Sequence, residues 1–539
     1  MALILKMTSL PGNHNPESVP ADGASGKGRW LECALAAACL MLLTGGPAPG
    51  VNEAHYLVQA RHYWNPGWCG GDFFLQSQDA HHVFFWTIGW LTQWLSLPAV
   101  AWIGRFAAAL LLADSLVRLC WTLNRQPGTA LLIVAIYVTL LKWTHMAGEW
   151  VVGGVEAKSF AYALVFYGMA ELVKGRWRRV WPWTGAAAAI HVLVGGWATL
   201  AALLCWVASR DRMPLGKMWP SLVAGGAVSL VGVLPALALA GGADAATAGE
   251  ASMIYVYERL SHHLLVSRFE TLLVLRHVAA VLVAGILVVG LRAWTSGPLR
   301  RLCLFAGAAV LIAVVGALLD LLLPRGELEA GLLRFYWFRL SDAMVPLLVS
   351  LLLVQLAVQF RQHSQRMARV VVMGCLLLVL AHCLGTLAGR INDPRPDADR
   401  LTLPGNQAVA HQRNEIYWQW RNTCDWIREN TEPDALFVTP RSQQTFKWYA
   451  ERGEVVNWKN VPQGAADLVG WWQRVEELIP DMEYGFYSME MDKLKERMRR
   501  YGAEYLVTSH GSRFRSLLMD RVYPADGVYS LFEVYRLEP

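Results

Sequence analysis

Apolar runs of about 20 residues, the length a helix needs to cross the hydrocarbon of a bilayer, alternate along this chain with short turns rich in arginine and lysine. Spans are predicted at about 30–49, 98–122, 129–147, 158–173, 219–240, 272–292, 301–323, 343–360 and 370–388. Two further stretches break the pattern. Val83–Leu97 is too short to span, ends before Pro98, and sets Trp86, Trp90 and Trp94 at helical spacing, which predicts a helix lying in the membrane interface. Trp183–Val207 is interrupted by His191 and Gly195-Gly196, which predicts a broken pair of half-length helices. The expected total is about 11 helices.

Charge chooses between the possible topologies, because each awkward stretch flips the side of every later turn. With 83–97 lying flat and 183–207 re-entrant, the clusters Arg118/Arg125, Lys174/Arg176/Arg178/Arg179, Arg210/Arg212/Lys217, Arg292/Arg300/Arg301 and Arg361/Arg366/Arg369 all face the cytoplasm. Either alternative sends some of them outside. Residues 1–29 then form a cytoplasmic N-terminal segment, with the first apolar run an uncleaved anchor. Residues 30–389 form a multi-pass transmembrane domain whose loops 51–97, 147–158, 241–271 and 324–342 share the outer face. The sequence Asn392-Asp393-Pro394-Arg395-Pro396 reads as a linker, and the segment 390–539 as an extracytoplasmic α/β domain. Its expected elements are a helix near 411–430, a strand at Ala435–Thr439, a helix at Thr445–Arg452, a strand at Val455–Trp458, helices near 464–479 and 488–501, a strand at Glu504–Thr508 and a hairpin around Val522–Arg536.

Composition agrees: 55% of the 539 residues are hydrophobic and 17% charged, with a mean hydropathy of +0.30, which no ordinary soluble domain shows. The net charge of +6 resides largely in the inter-span turns, so topology explains it and a nucleic-acid partner is not needed. The nine cysteines lie mostly in apolar spans without CxxC spacing, and imply neither a disulfide framework nor a zinc site.

The outer loops hold the candidate chemistry. Glu53 in Asn52-Glu53-Ala54-His55-Tyr56 opens a short helix that Asn52 is placed to cap and Asn65-Pro66-Gly67 to end. Its carboxylate suits a base or a metal ligand, or it merely complements the helix dipole. Asp72 in Gly70-Gly71-Asp72 and the run Asp79-Ala80-His81-His82 are the next acids of that loop, although Gly-Gly-Asp is also an ordinary turn. The second loop brings Glu149, Glu156 and Lys158; the last two, spaced i, i+2, do not share a helix face. Cations on the outer face run against the charge bias and call for a reason. The third loop has Arg259, His262, His263 and Arg268, the fourth Arg334 and Arg339 with Asp342 beside them; the arginines and histidines suit phosphate, or the arginines snorkel at an aromatic belt. His191 at the helix break is either a cavity residue or a satisfied core histidine.

The first-loop acid in Asn52-Glu53-Ala54-His55-Tyr56, the interface helix, Glu156-Ala157-Lys158, the break around His191-Val192-Leu193-Val194-Gly195-Gly196 and the C-terminal α/β domain together resemble the GT-C superfamily of polytopic glycosyltransferases, in an uncharacterised bacterial branch. That resemblance implies an inner-membrane enzyme moving a sugar, usually with inversion, from a polyprenyl-phosphate donor to a glycan, lipid or protein acceptor on the outer side. It assigns Glu53, Asp72 and Glu156 to catalysis, Lys158, His262, His263, Arg268, Arg334 and Arg339 to the donor phosphate, and His55, His191 and Asp342 to the cavity wall, with a divalent ion, magnesium or manganese, on Glu53 and Asp72. The sequence departs from the family pattern in having Glu in place of the commoner Asp in the first loop, and in lacking a Trp-Trp-Asp tail motif. A transporter or flippase of lipid-linked or anionic solutes is the rival reading, since broken helices and intramembrane charges also mark transport paths, and a non-catalytic relative is a third.

Overall fold

The computed structural model describes residues 25–402, 410–481, 485–509 and 519–537. Most of the N-terminal segment, residues 1–24, therefore lies outside the described residues. Each predicted span has a helix: Ser25–Thr44, Leu97–Leu123, Thr129–Thr144, Ala157–Val173, Leu215–Gly241, Thr271–Gly290, Gly297–Leu322, Arg339–His363 and Gln365–Asn392. Among the described residues, six of these are long and apolar enough to cross a membrane.

The break at His191 is present. Helices Trp177–Ile190 and Val192–Ala208 meet there and fold against each other: a Cβ on Gly195 would stand 2.0 Å from the Ala188 nitrogen, so the two backbones touch. Glycine also seats this pair on Leu215–Gly241, since a Cβ on Gly225 would lie 2.4 Å from the Trp181 oxygen and one on Gly232 2.4 Å from that of Ala189. Between apolar helices in lipid, such backbone contact replaces the hydrophobic drive available in water.

The interface helix is interrupted. Its residues form a short helix, His82–Trp86, and a tighter turn, Ile88–Gln93, with the chain bent at Thr87. Gly89 accounts for the seating of the bend: a Cβ there would be 2.7 Å from that of Ala60, so only glycine lets this segment rest on helix Glu53–Trp64. Trp86, Trp90 and Trp94 remain exposed, as an interfacial position requires.

The C-terminal domain contains a five-stranded sheet of β1 (Leu436–Val438), β2 (Gly453–Glu454), β3 (Tyr505–Ser509), β4 (Met519–Tyr523) and β5 (Phe532–Leu537) in the order β2-β1-β3-β5-β4. The β1 strand pairs in parallel with β2 and β3, whereas β5 runs antiparallel to β3 and β4. Helices Ala410–Asn430, Phe446–Ala450, Ala465–Leu478 and Met491–Tyr501 follow the predicted pattern. The strand expected at Val455–Trp458 is displaced to Gly453–Glu454. After Val455 the chain leaves the sheet, with the Trp458 amide bonded to the Arg441 carbonyl (2.9 Å) and the Asn457 carbonyl accepting from the Trp471 indole (3.0 Å).

A buried ion group fastens this domain to the loop 51–97. Lys447 Nζ lies 3.1 Å from Asp72 and 2.5 Å from Glu454, and Asp72 also accepts the Glu454 amide (3.0 Å) and the Leu75 amide (2.9 Å). All three charged side chains are fully buried, where removing one partner strands the others.

Candidate active site

The four predicted outer loops converge with the C-terminal domain on one cavity of about 710 Å³. Helix Glu53–Trp64 supplies His55 and Tyr56, the loop before Ala157–Val173 supplies Glu149 and Glu156, the break contributes His191, and the fourth loop Arg334 and Arg339. A wide, π-type turn at Ile254–Arg259 turns Tyr255 and Arg259 inward, with His262 and His263 just after it. The C-terminal domain closes the cavity with Lys459 and Gln463.

One side of the cavity is a paired charge network. Lys158 Nζ lies 3.1 Å from Glu156 and 3.4 Å from Glu149, over the Trp150 ring, and Arg339 Nε lies 3.0 Å from Glu149. Glu156 reaches Lys158 despite the i, i+2 spacing because it sits in extended backbone just before the helix. Asn52 does not cap its own helix through its side chain; its amide donates to Glu156 (3.0 Å). His191 Nε2 lies 3.3 Å from an Arg339 nitrogen.

A second group on the lining is basic. Arg259 donates to the Trp458 carbonyl (2.9 Å) and Arg334 to the Ser252 hydroxyl (3.1 Å). Among the described residues, neither they nor Lys459 form an ion pair with a carboxylate. Burial, reinforced by Arg259, pulls the Lys459 ammonium down to about 8. Burial likewise lowers His262, and with His262 beside it takes His263 down to about 3, so both rings are neutral at pH 7.

Near Glu156 and Arg339 lies a pair the sequence marks only as an acidic run. Asp79 Oδ1 accepts from the His81 ring Nδ1 (2.7 Å) and its amide (2.5 Å), and Oδ2 accepts from Gln463 Nε2 (3.1 Å). Burial opposes charge on His81, but Asp79 outweighs it and the imidazole is raised; Asp79 is lowered in turn, its own burial outweighed by His81. Burial holds the neighbouring His55 down to about 4, against the attraction of Asp79.

Several sequence-chosen residues lie elsewhere. Glu53, expected as the base or a metal ligand, is 1% exposed and accepts four hydrogen bonds: from Arg105 at both oxygens (2.6 Å each), from the Gly50 amide (2.6 Å) and from the Val155 amide (2.9 Å). Its carboxylate clamps the loop before Ala157–Val173 and leaves no lone pair for substrate. Asp72 is held by Lys447 as described above. Each acid anchors a different pair of elements, so together they do not fit a divalent ion. Asp342, expected on the wall, lies behind it and gathers the amides of Met146 (2.8 Å), Ala147 (3.0 Å) and Glu149 (3.3 Å). Arg268 is exposed outside the cavity. Glu156, Lys158, His262, His263, Arg334, Arg339, His55 and His191 do line it. Tyr56, Lys459 and Gln463 are given no role by the sequence, and Arg259 stands there only among the outer-loop cations. Only the excess of cations on the outer loops pointed toward Arg259, and nothing local distinguishes Gln463.

With this geometry in place, likenesses to known proteins take on meaning. ArnT from Cupriavidus metallidurans, solved bound to undecaprenyl phosphate, superposes with a TM-score of 0.52 at 13% identity, covering 96% of this chain and 100% of that one. The fold is GT-C-like. The apo form of the same ArnT (TM-score 0.44, 14% identity, 96% and 100% coverage) and an oligosaccharyltransferase from Archaeoglobus fulgidus complexed with zinc and sulfate (0.45, 13%, 88% and 67%) are more distant. Residues 419–478 match a family described as a domain of unknown function, DUF6798. No curated protein matches the chain. Apolar helices and fold together make this a multi-pass membrane protein.

Proposed function

We propose that this chain is a glycosyltransferase that moves a hexosyl or pentosyl unit, with inversion, from a polyprenyl-phosphate donor to an acceptor on the outer side of a bacterial inner membrane. One observation carries the reading: among the described residues, Arg259, Arg334 and Lys459 line the cavity without an ion-paired carboxylate, whereas Lys158 and Arg339 are already paired. Displacing a sugar from prenyl phosphate requires charge at the leaving phosphate, and fixed cations in a partly dehydrated site supply it. Lys158 and Arg339, restrained by Glu149 and Glu156, extend that clamp. The likeness to a protein solved with undecaprenyl phosphate supports this donor class. Glu53 and Asp72 act as scaffold in this reading.

Native mass spectrometry of the purified protein with undecaprenyl phosphate, and with undecaprenol as the uncharged control, tests it. The phosphate is expected to bind and the alcohol to bind far more weakly. Replacing Arg259 and Lys459 by Gln together weakens phosphate binding by about tenfold or more, the loss of at least one charge-assisted contact worth about 1.4 kcal/mol. Arg268→Gln leaves it at the wild-type level. Equal retention of phosphate and alcohol would remove the basis of the proposal.

A further inference from the structure

Residues 79–81 form a partition. His81 lines the large cavity, while Asp79 lines a second one of about 360 Å³ on its other side. This second cavity sets Gln59, Gln76, Ser77 and Gln78 beside the Tyr63 ring, with His62 and His82 also on its lining. Its edge is the end of helix Leu215–Gly241 at Pro235, Ala238 and Leu239, next to the exposed apolar side chains Leu234 and Leu237. Gln59 Oε1 is buried and has no hydrogen-bond partner among the described residues. A buried carbonyl oxygen without a donor costs about 1–3 kcal/mol, and a hydroxyl entering this cavity removes that cost.

The Asp79–His81 pair is oriented toward the same event. His81 Nδ1 lies 2.7 Å from Asp79 Oδ1 and 2.8 Å from Gln463 Nε2; with Nδ1–H given to Asp79, Nε2 keeps its lone pair, with only a loose contact to the Tyr56 hydroxyl at 3.4 Å. Gln463 holds the carboxylate from the other side and accepts the Ala80 amide (3.2 Å), so the C-terminal domain sets the position of the pair. Of the acids around the cavity, Glu149 is ion-paired with Lys158 and Arg339 and Glu156 with Lys158. His191 touches the His81 ring edge, centroids 5.7 Å apart.

We propose that His81, oriented by Asp79, is the catalytic base for an acceptor hydroxyl in the large cavity, and that the second cavity, which meets the large one at Leu239, seats the rest of an uncharged, sugar-like or polyol headgroup carried by a lipid acceptor. This rests on the transferase reading above. The acceptor O–H proton passes to His81 Nε2 as the acceptor oxygen bonds to the anomeric carbon of the donor sugar. The bond from that carbon to the phosphate oxygen breaks with its electron pair, and polyprenyl phosphate leaves toward Arg259, Arg334 and Lys459. His81 then returns its proton to solvent.

The test compares envelope lipids and glycans by untargeted mass spectrometry in deletion cells carrying the wild type, His81→Gln, His81→Gly, Asp79→Asn or Gln59→Leu, with undecaprenyl phosphate binding measured on each purified protein. The wild type restores a sugar missing from the deletion cells. His81→Gln lowers that transfer by 10²–10⁴-fold, the usual weight of a general base, while binding undecaprenyl phosphate normally, and added imidazole restores part of the activity to His81→Gly. Gln59→Leu lowers transfer without changing phosphate binding.

The pH dependence separates a base from a packing residue. The charges facing His81 are Asp79, Glu156, Arg339 and the ionisable rings of His55, His191 and Tyr56. Transfer rises with external pH as His81 loses its proton; Asp79→Asn removes the group that keeps the proton on, so its rising limb moves to lower pH as the maximum falls. Full transfer by His81→Gln, or an unmoved limb in Asp79→Asn, overturns the base while leaving the transferase intact. A wild-type gene that changes no glycan or lipid overturns both.

Discussion

Replacing Glu53 by Gln separates a scaffold from a base. The Glu53 and Arg105 side chains are almost entirely buried, joined by two 2.6 Å bonds, and the remaining carboxylate lone pairs hold the Gly50 and Val155 amides. Glu53→Gln leaves the guanidinium buried without its counter-charge and turns two acceptors into one acceptor and one donor. Breaking one partner of such a pair costs about 3–5 kcal/mol. Arg105→Met, which strands the carboxylate, costs a similar amount. The double replacement removes both charges and recovers part of the loss, a coupling of about 0.5–3 kcal/mol between touching groups. Thermal unfolding in detergent, followed by tryptophan fluorescence, reads all three. Because Glu53 and Val155 fix the loop that carries Glu156, transfer by the single variants falls in step with the folded fraction. Wild-type thermal stability in Glu53→Gln, combined with abolished transfer, would refute the scaffold assignment and return Glu53 to the chemistry.

Other consequences follow from particular contacts. Lys447→Met leaves Asp72 and Glu454 buried with no cation, and is expected to destabilise the domain junction by about 3–5 kcal/mol, read as faster tryptic release of the C-terminal domain; unchanged release would contradict the fastening role. Gly225→Ala places a methyl 2.4 Å from the Trp181 oxygen and forces the helices apart, an overpacking cost of about 1–3 kcal/mol visible as a lower unfolding midpoint, whereas Gly226→Ala, with open space around it, leaves the midpoint unchanged. Lys459 is depressed to about 8, so it carries charge below that pH and loses it above. Undecaprenyl phosphate affinity therefore declines as pH rises through about 8, and Lys459→Gln flattens that decline; a decline of equal depth in the variant would assign it to another group.

Length, hydropathy and arginine placement were enough to find the spans, the broken pair at His191, the four loops that meet at the cavity and the α/β character of the tail, because each follows from local constraints: bilayer thickness, the cost of moving charge, and the period of a helix or strand. Eight of the sequence-chosen residues reach the cavity for the same reason: Glu156, Lys158, His55, His191, His262, His263, Arg334 and Arg339 lie on those loops or at that break. Direction within a loop was not legible. Whether Glu53 points at substrate or at Arg105 depends on a partner 52 residues away, and whether Asp72 is free depends on Lys447, far along the chain in another domain. The Asp79–His81 pair becomes a poised dyad only when Gln463 and the cavity surround it. A carboxylate's role is set by which donors saturate its oxygens, and those donors arrive through tertiary contact.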